Sequence, residues 1–284
     1  MTTTIAVVGA GAMGSAIGQR LVEQGARVLA LQDGRSEASL ARAKAAGMVL
    51  APAEQVAEAS LILSVVPPAA AVAVARGIAP ALMASHTSGA FIDCNAVNPA
   101  TMADVAAALA DTGWPVLDGA IIGGPPRRGE AGPALYVSGD AAGFADVLAS
   151  YGIRLKHLDG PLGAASALKM VYAGVNKGVI ALGSAMLLAA ERTGTAAGLR
   201  AEMAESQPAL LAKFRHAVPD MLPKAERWVA EMDEIAAFLG GEDPATSFIA
   251  AAANLFRTIA ADRTGEGALA ARLLASVAGG GEER

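Results

Sequence analysis

The chain is poor in cysteine, histidine and aromatic residues, and each shortage argues against a class of protein. Its single cysteine, Cys94, excludes an internal disulfide framework and is typical of a reducing compartment. Three histidines beside one cysteine argue against a transition-metal site, so we expect no bound metal. Aromatic residues make up 4% of a chain that is 54% hydrophobic, so the core must consist largely of Ala, Val, Leu and Ile.

Positive charge and long hydrophobic runs are also scarce. The net charge of −5 argues against electrostatic binding of nucleic acid or of an anionic membrane. The N-terminus lacks a basic region and a cleavage site, which predicts no signal peptide. The most apolar helical run, residues 178–190, is too short to span a bilayer. We therefore expect a soluble, cytoplasmic protein, and its 284 residues suffice for two modest domains.

A glycine-rich motif stands near the start of the chain. Residues 4–9, "TIAVVG", predict a β-strand that runs into "GAGAMG", and a helical segment follows. A GxGxxG motif between a strand and a helix indicates a dinucleotide-binding turn. Gly9 permits the tight turn, Gly11 lets a pyrophosphate approach the backbone, and Gly14 allows close packing of the helix. The predicted cofactor-binding loop comprises Gly9, Ala10, Gly11, Ala12, Met13 and Gly14.

Strand and helix patterns alternate through the rest of the first half. Buried strands are predicted at 26–31, 59–68, 91–97 and 114–124, with helices around 37–46, 69–83 and 100–112. This alternation predicts a doubly wound parallel sheet, the Rossmann type, with ligands beyond the carboxyl ends of its strands. The candidate walls of the site are therefore Val65, Val66, Pro67, Asn95 and the loop 121–132.

The end of the second strand bears on the choice of cofactor. Asp33 lies where an acid would hold the ribose 2′-hydroxyl of NAD. Arg35 and Ser36 follow in the same turn, and an arginine there can bind a 2′-phosphate. We expect NADP as the cofactor, with NAD as the alternative.

Helical periodicity replaces the strand signals from about residue 161. One helix of about 30 residues is predicted to run to Gly194, and Lys169, Tyr172 and Asn176 fall on one of its faces. A lysine on a buried helix needs a partner or a function, so a surface-reaching lysine and a general base both stay open. The predicted fold is a Rossmann domain over 1–160 and an all-α domain over 161–284, joined by this long helix.

The order of these motifs resembles the β-hydroxyacid dehydrogenase and 6-phosphogluconate dehydrogenase superfamily across essentially the whole chain. The resemblance rests on the Rossmann motif, a D-x-x-x-x-G-G loop, and G-x-x-G-x-x-x-x-x-K on a long helix. It implies that Lys169 takes the substrate's hydroxyl proton while a hydride passes to the nicotinamide. It also implies that Asn95 lines the nicotinamide and substrate, that Val66 and Pro67 pack near the nicotinamide, and that Gly123 and Gly124 form the substrate loop.

The chain departs from the family pattern at positions that bear on the substrate. Tyr172, Ala173 and Asn176 stand where 6-phosphogluconate dehydrogenases have His, Asn and Glu. Asn176 cannot donate a proton as a glutamic acid does, which argues against decarboxylation. Ile122 replaces a serine that helps to hold the substrate carboxylate, which indicates a less acidic or bulkier substrate. The predicted substrate residues are Asn95, Ile122, Gly123, Gly124, Tyr172 and Asn176.

These features predict an NAD(P)-dependent oxidoreductase of a small β-hydroxyacid-like alcohol or carbonyl substrate, related to 3-hydroxyisobutyrate dehydrogenases, with Lys169 as general acid and base. One alternative is an imine reductase, although relatives of that kind usually carry Asp or Tyr in place of Lys169. Another is a non-catalytic dinucleotide-binding sensor or assembly protein. The chain also resembles a less characterised NAD(P)-binding branch of the superfamily, and the resemblance implies a homodimer formed through the helical domain.

Overall fold

A computed structural model describes residues 3–127 and 129–278, apart from the side chain of Thr264. The chain divides into two compact units, one ending at Met170 and the other beginning at Val171. The division falls within a long helix, so each unit contains part of it.

The first unit is built on one β-sheet. Its strands are β1 (Thr4–Val8), β2 (Arg27–Leu31), β3 (Val49–Ala51), β4 (Leu61–Ser64), β5 (Ala90–Asp93), β6 (Val116–Ile122), β7 (Ala134–Ser138) and β8 (Arg154–His157). The strand order is β3-β2-β1-β4-β5-β6-β7-β8. Adjacent strands are parallel except at β6 and β7, where Ala120 pairs with Tyr136 in antiparallel register.

The helices of the first unit connect these strands. They are α1 (Ala12–Glu23), α2 (Glu37–Ala45), α3 (Ala53–Val56), α4 (Ala71–Ala84), α5 (Pro99–Leu109), α6 (Val147–Ser150) and the first turns of α7 (Ala164–Thr193). Short 3₁₀ turns cover Pro68–Ala70, Ala110–Thr112 and Ala142–Asp146.

Both faces of the sheet are covered, as a sheet with so many parallel neighbours requires. One hydrophobic cluster packs α1, α2 and α6 against one face and includes Ile17, Leu21 and Leu148. The other cluster packs α3, α4 and α5 against the opposite face and includes Ile78 and Met102. The prediction of a doubly wound sheet is confirmed, and aliphatic residues dominate both clusters.

Three strands, β3, β7 and β8, were not predicted from the sequence. β3 has only three residues, and the sequence of β8, "RLKH", is mostly exposed, so neither produces a buried apolar run. β7 is also the strand that makes the sheet mixed rather than wholly parallel. The antiparallel pair follows from the short connection between β6 and β7, since a parallel crossover needs a longer one.

The second unit is helical. It contains the remainder of α7, α8 (Ala196–Ser206), α9 (Pro208–Met221), α10 (Ala225–Leu239), α11 (Pro244–Thr264) and α12 (Ala268–Val277), with a 3₁₀ turn at Leu222–Lys224. Trp228 on α10 meets Phe256 on α11 edge to face, with ring centroids 5.3 Å apart. Gly183 on α7 leaves room for the ring of Phe214, which a Cβ there would clash with.

The long helix α7 ends as the sequence predicts. Gly194 follows it with a φ of 71°, the left-handed conformation that ends many helices. The helix is longer than the apolar run 178–190 on which the membrane argument rested. Its best 18-residue window has a mean hydropathy of 1.4 and is 44% buried, so length and composition alone would permit α7 to cross a membrane. Core helices of soluble proteins also meet this criterion.

Candidate functional site

The glycine-rich turn between β1 and α1 has the geometry of a phosphate-binding loop. Gly9 has a φ of 100°, and a Cβ there would clash with the carbonyl oxygen of Val65. A Cβ on Gly14 would clash with the carbonyl oxygen of Gly9, so the helix packs directly on the turn. A Cβ on Gly11, by contrast, would meet no atom within 4 Å. The two glycines that shape the loop are therefore enclosed, and the one predicted to face the pyrophosphate is open.

This turn lies at the point where the strand order reverses. The sheet runs outward from β1 toward β2 on one side and toward β4 on the other, and such reversal points bind ligands in open α/β sheets. α1 begins at Ala12, and no side chain caps its first turn. Its exposed N–H groups and its dipole favour an anion at this position. The structure thus fits a dinucleotide with its pyrophosphate at Gly11.

Asn95 connects two strand ends at this edge. Its Oδ1 atom accepts a hydrogen bond of 2.6 Å from the backbone N–H of Val66. Its Nδ2 group donates to Ser64 Oγ at 3.0 Å and to Asp93 Oδ2 at 2.7 Å. The buried side chain therefore holds β4 and β5 together and fixes the segment from Val65 to Pro67. Both N–H groups of the amide are used within the protein, a role that the sequence analysis did not foresee for Asn95.

The turn after β2 brings Asp33 and Arg35 together. Arg35 Nε donates to the backbone oxygen of Asp33 at 3.2 Å, and Asp33 Oδ2 accepts from the N–H of Ala53 at 2.8 Å. The hydroxyl of Ser36 caps α2 by accepting from the N–H of Ser39. A cleft opens beside Asp33 and Arg35, with Val74 and Ile78 of α4 among its apolar walls.

An arginine that was not predicted from the sequence lies at the glycine-rich loop. Arg42 on α2 donates from Nε to the backbone oxygen of Ala10 at 2.8 Å. The contact joins residues 32 positions apart in the chain, so no local pattern reveals it.

Asp118 on β6 anchors the beginning of α7. Its Oδ2 atom accepts from the N–H of Ser166 at 2.9 Å, and its Oδ1 atom accepts from the hydroxyl of Ser166 at 2.6 Å. The hydroxyl of Ser138 donates to Asp118 at 3.2 Å and accepts from the N–H of Ala165 at 2.9 Å. Two buried groups from the sheet therefore satisfy first-turn N–H groups that have no partner within the helix.

Lys169 lies one turn after Ser166 and acts electrostatically on the end of β5. Burial raises the pKa of Asp93 to about 6, the hydrogen bonds from Asn95 lower it, Asp118 raises it and Lys169 lowers it. Burial also raises the pKa of the Cys94 thiol, and Lys169 opposes that effect. The candidate base therefore acts on two buried groups at the end of β5, the Asp93 carboxyl and the Cys94 thiol. Asp93 follows an apolar run and is the last residue of β5, a signal that was not used in predicting the site from the sequence.

The predicted substrate loop begins where β6 ends. Ile122 is the last residue of β6, and Gly123 follows with a φ of 129° and a close approach to Pro133. Arg20 on α1 fastens the loop by donating from Nη2 to the backbone oxygens of Arg127 and Glu130, each at 2.8 Å. Ile122, Gly123 and Gly124 line a surface cleft along this loop.

Two further predicted substrate residues lie on α7 within the second unit. The ring of Tyr172 is exposed. Asn176 donates to the backbone oxygen of Tyr172 at 3.1 Å and accepts from Lys213 Nζ at 3.1 Å. The neighbouring Lys177 is buried and pairs with Glu231 at 2.7 Å, so this lysine is part of the helical core. Among the described residues, no three or more His, Cys, Asp or Glu side chains are grouped to hold a metal ion.

The mixed sheet with an open glycine turn at its reversal point defines a dinucleotide-binding protein. Residues 4–152 match the NAD-binding domain of 6-phosphogluconate dehydrogenase, and residues 190–259 match a domain of unknown function, DUF1932. The chain belongs to the 6-phosphogluconate dehydrogenase-like β-hydroxyacid dehydrogenase superfamily, as its motifs predicted, and binds a nicotinamide dinucleotide through this domain. No curated protein matches the chain.

Solved structures share the fold over nearly the whole chain. A conserved hypothetical protein from Sinorhizobium meliloti is 28% identical with a TM-score of 0.76, and 97% of each chain is covered. A 3-hydroxyisobutyrate dehydrogenase from Mycobacterium tuberculosis, solved with L-serine, is 22% identical with a TM-score of 0.71, covering 92% of this chain and 95% of that one. An imine reductase variant from Myxococcus stipitatus, solved with NAD⁺, is 21% identical with a TM-score of 0.61, covering 96% and 100%.

Replacing the open glycine separates folding from cofactor binding. We expect Gly11→Ala to leave the thermal unfolding of the free protein unchanged, since the added methyl group meets no protein atom. The methyl group would occupy the path of the pyrophosphate, so dinucleotide affinity measured by calorimetry should fall by an order of magnitude or more. Gly198→Ala, also at an open position, is the control. Unaltered affinity in Gly11→Ala would contradict the assigned loop.

The burial of Asp93 predicts a pH-dependent stability. Because its pKa rises from 3.8 to about 6 on folding, the folded state binds more protons in that window and loses stability as the pH rises through it. The loss is on the order of 3 kcal/mol, at about 1.4 kcal/mol per unit of pKa. Asp93→Asn should remove this loss.

Urea unfolding at several pH values between about 4 and 7 measures the free energy of unfolding of wild type and of Asp93→Asn. The effect is the difference between their two pH dependences. The variant should gain stability relative to wild type as the pH rises, whatever its absolute stability. Asp104→Asn, at an exposed position of α5, should follow wild type. If the free energies of unfolding of wild type and Asp93→Asn change in parallel with pH, the pKa of Asp93 is not raised in the folded protein.

Proposed function

We propose that the protein transfers a hydride between NADP and the carbon of a small β-hydroxyacid-like alcohol or carbonyl substrate, with Lys169 as general acid and base. The observation that supports this most is the place of Lys169 in the first unit. Its charge acts on Asp93 and Cys94 at the end of β5, beside the Asn95 amide that holds Val66. The charge of Lys169 therefore acts at the carboxyl end of β5, the edge of the sheet where the proposal puts the nicotinamide.

The chain's own groups have distinct parts in this proposal. The loop from Gly9 to Gly14 receives the pyrophosphate, and Val65, Val66 and Pro67 support the nicotinamide side, held by Asn95. When bound, the nicotinamide ring supplies the hydride acceptor or donor. Lys169 takes the hydroxyl proton at Nζ during oxidation and returns a proton to the carbonyl oxygen during reduction.

Substrate selection is proposed to fall to the loop after β6 and to α7. Gly123 and Gly124 offer backbone groups to the substrate, and Ile122 supplies an apolar contact where relatives have a serine. That exchange favours a bulkier or less acidic substrate than the simple hydroxyacids. Tyr172 and Asn176, which follow Lys169 along α7, are proposed as further substrate residues.

For the cofactor we propose NADP, with Arg35 and Ser36 near the 2′-phosphate. Support comes from Arg35, which lines the cleft beside β2. NAD stays the alternative cofactor because of Asp33. The Oδ1 atom of Asp33 has no hydrogen-bond partner among the described residues and can accept from a ribose hydroxyl.

Removing the proposed base tests the enzyme function. We expect Lys169→Ala to keep dinucleotide affinity within a few-fold and to lose about 10²–10⁴-fold in turnover, as for other proton-transfer groups. The assay follows NADPH and NADH absorbance against panels of hydroxyacids, ketones, aldehydes and cyclic imines. Lys44→Ala, at an exposed position of α2, is the control for loss of a lysine.

The same assay separates the alternatives. Reduction of cyclic imines without any activity on hydroxyacids would establish an imine reductase instead. Tight NADPH binding with no turnover by wild type, and identical behaviour of Lys169→Ala, would establish a non-catalytic dinucleotide-binding protein.

We also propose that the protein is a cytoplasmic homodimer formed through the second unit and binds neither nucleic acid nor membrane. Support comes from an apolar face of α7 and α11 that this chain alone leaves exposed, including Val175, Leu182, Met186 and Phe248. Exposed apolar patches of this kind mark interaction surfaces.

Sedimentation equilibrium tests the assembly. Wild type should have twice the 28.3 kDa chain mass, and Leu182→Glu, at a side chain 53% exposed in the chain, should be a folded monomer. Val49→Glu, 52% exposed on β3, should stay dimeric as the matched control. A monomeric wild type, or binding of wild type to lipid vesicles, would contradict the proposal.

A further inference from the structure

We infer that Arg42 is a second cationic contact for the 2′-phosphate of NADP and sets the preference for the phosphorylated cofactor. This inference rests on the proposed dinucleotide function and names a residue outside the turn that carries Asp33, Arg35 and Ser36. Three features support it: the position of the guanidinium, its unused donors and the charge of that turn.

The guanidinium of Arg42 lies against the phosphate-binding loop. α2 begins directly after the turn that ends β2, and Arg42 reaches from this helix to the backbone oxygen of Ala10. This bond joins α2 to the glycine-rich loop. It therefore holds Arg42 on the side of the loop that faces the end of β2, where the ribose of the dinucleotide would lie. The pyrophosphate position is different, because it is defined by the open Gly11 and the first N–H groups of α1.

Most donors of Arg42 remain available. Among the described residues, the side chain of Arg42 makes one hydrogen bond, from Nε to the backbone oxygen of Ala10. No carboxylate among them pairs with its guanidinium. A guanidinium carries five N–H donors, so four on Nη1 and Nη2 can serve a ligand. An arginine held by one backbone oxygen and lacking a carboxylate partner suits a phosphate, which accepts two parallel N–H bonds.

Charge explains why one arginine does not suffice. Asp33 and Arg35 stand two residues apart in one turn, so their formal charges cancel there. Without Arg35, the Asp33 carboxylate would repel a 2′-phosphate and favour the 2′-hydroxyl of NAD. With Arg35, the turn has no net charge to attract the phosphate. Arg42 adds the positive charge that turns the balance toward the phosphate. Arg35 alone therefore gives weak discrimination between the two cofactors.

The experiment measures binding by calorimetry with four probes: NADPH, NADH, adenosine 2′,5′-bisphosphate and AMP. The main variant is Arg42→Gln, which removes the charge but keeps an N–H donor for Ala10. It should weaken NADPH and the bisphosphate by about 10- to 100-fold, as for loss of a charged hydrogen bond, and leave NADH and AMP within about twofold. Arg42→Lys should retain most of the preference, and Lys44→Gln, on the same helix, should resemble wild type.

A double variant tests whether both arginines bind one phosphate. Arg35→Ala and Arg42→Gln together should cost less than the product of their separate effects on NADPH, because neighbouring groups that share a ligand are not additive. Thermal unfolding of each free variant confirms that it is folded.

The outcomes separate this inference from the proposed function. If Arg42→Gln weakens NADPH and NADH equally, Arg42 only supports the loop through Ala10 and the inference is wrong. The inference is also wrong if Arg42→Gln changes neither affinity, or if wild type prefers NADH. In each of these cases the dinucleotide function stands. If wild type binds neither dinucleotide, the proposed function fails and the inference fails with it.

Discussion

The buried carboxylate of Asp118 is the interaction on which the arrangement of the candidate site depends. An isolated buried charge is costly, and three hydrogen bonds, two of them from Ser166, offset that cost here. The carboxylate also lies at the positive end of the α7 dipole, which favours a negative charge. Because Ser166 is one helical turn before Lys169, the same bonds fix the helical turn that precedes the lysine.

Long-range electrostatics link this anchor to Asp93, and hydrogen bonds run from Asp93 to the segment that packs on the glycine turn. Asp118 and Lys169 both act on Asp93, Asp93 is bonded to Asn95, and Asn95 holds the N–H of Val66. The carbonyl of Val65 in turn lies against Gly9, which no other residue could replace without a clash. Within the first unit, Asp118 and Ser138 fix the beginning of the helix that carries the lysine, and Asn95 fixes the segment that packs on the glycine turn. The proposed chemistry needs both to be placed together.

The parts predicted well from the sequence are those defined by local patterns. Gly9, Gly11 and Gly14 are separated by fixed spacings, and their turn geometry follows from backbone sterics alone. The buried strands β1, β4 and β5 are continuous apolar runs, and the end of α7 is marked by Gly194. The family resemblance, rather than periodicity, assigned a role to Lys169.

The parts that could not be predicted depend on contacts between distant segments. The start of α7 follows "GPLG", which offers no capping side chain, because Asp118 and Ser138 supply the cap from the sheet. Asn95 was expected to face the ligand, yet its amide N–H groups bind the protein, and only the folded strands reveal this. By its sequence pattern, Arg42 is an ordinary surface arginine of a helix, and only the fold reveals its contact with Ala10.

A crystal structure with NADPH and a substrate analogue tests the central claim most directly. The account predicts the pyrophosphate against the α-carbon of Gly11, the nicotinamide beside Val66 and Pro67, and Lys169 Nζ within hydrogen-bond distance of the analogue's oxygen. A dinucleotide bound elsewhere, or a Lys169 that points away from the nicotinamide in the complex, would contradict it.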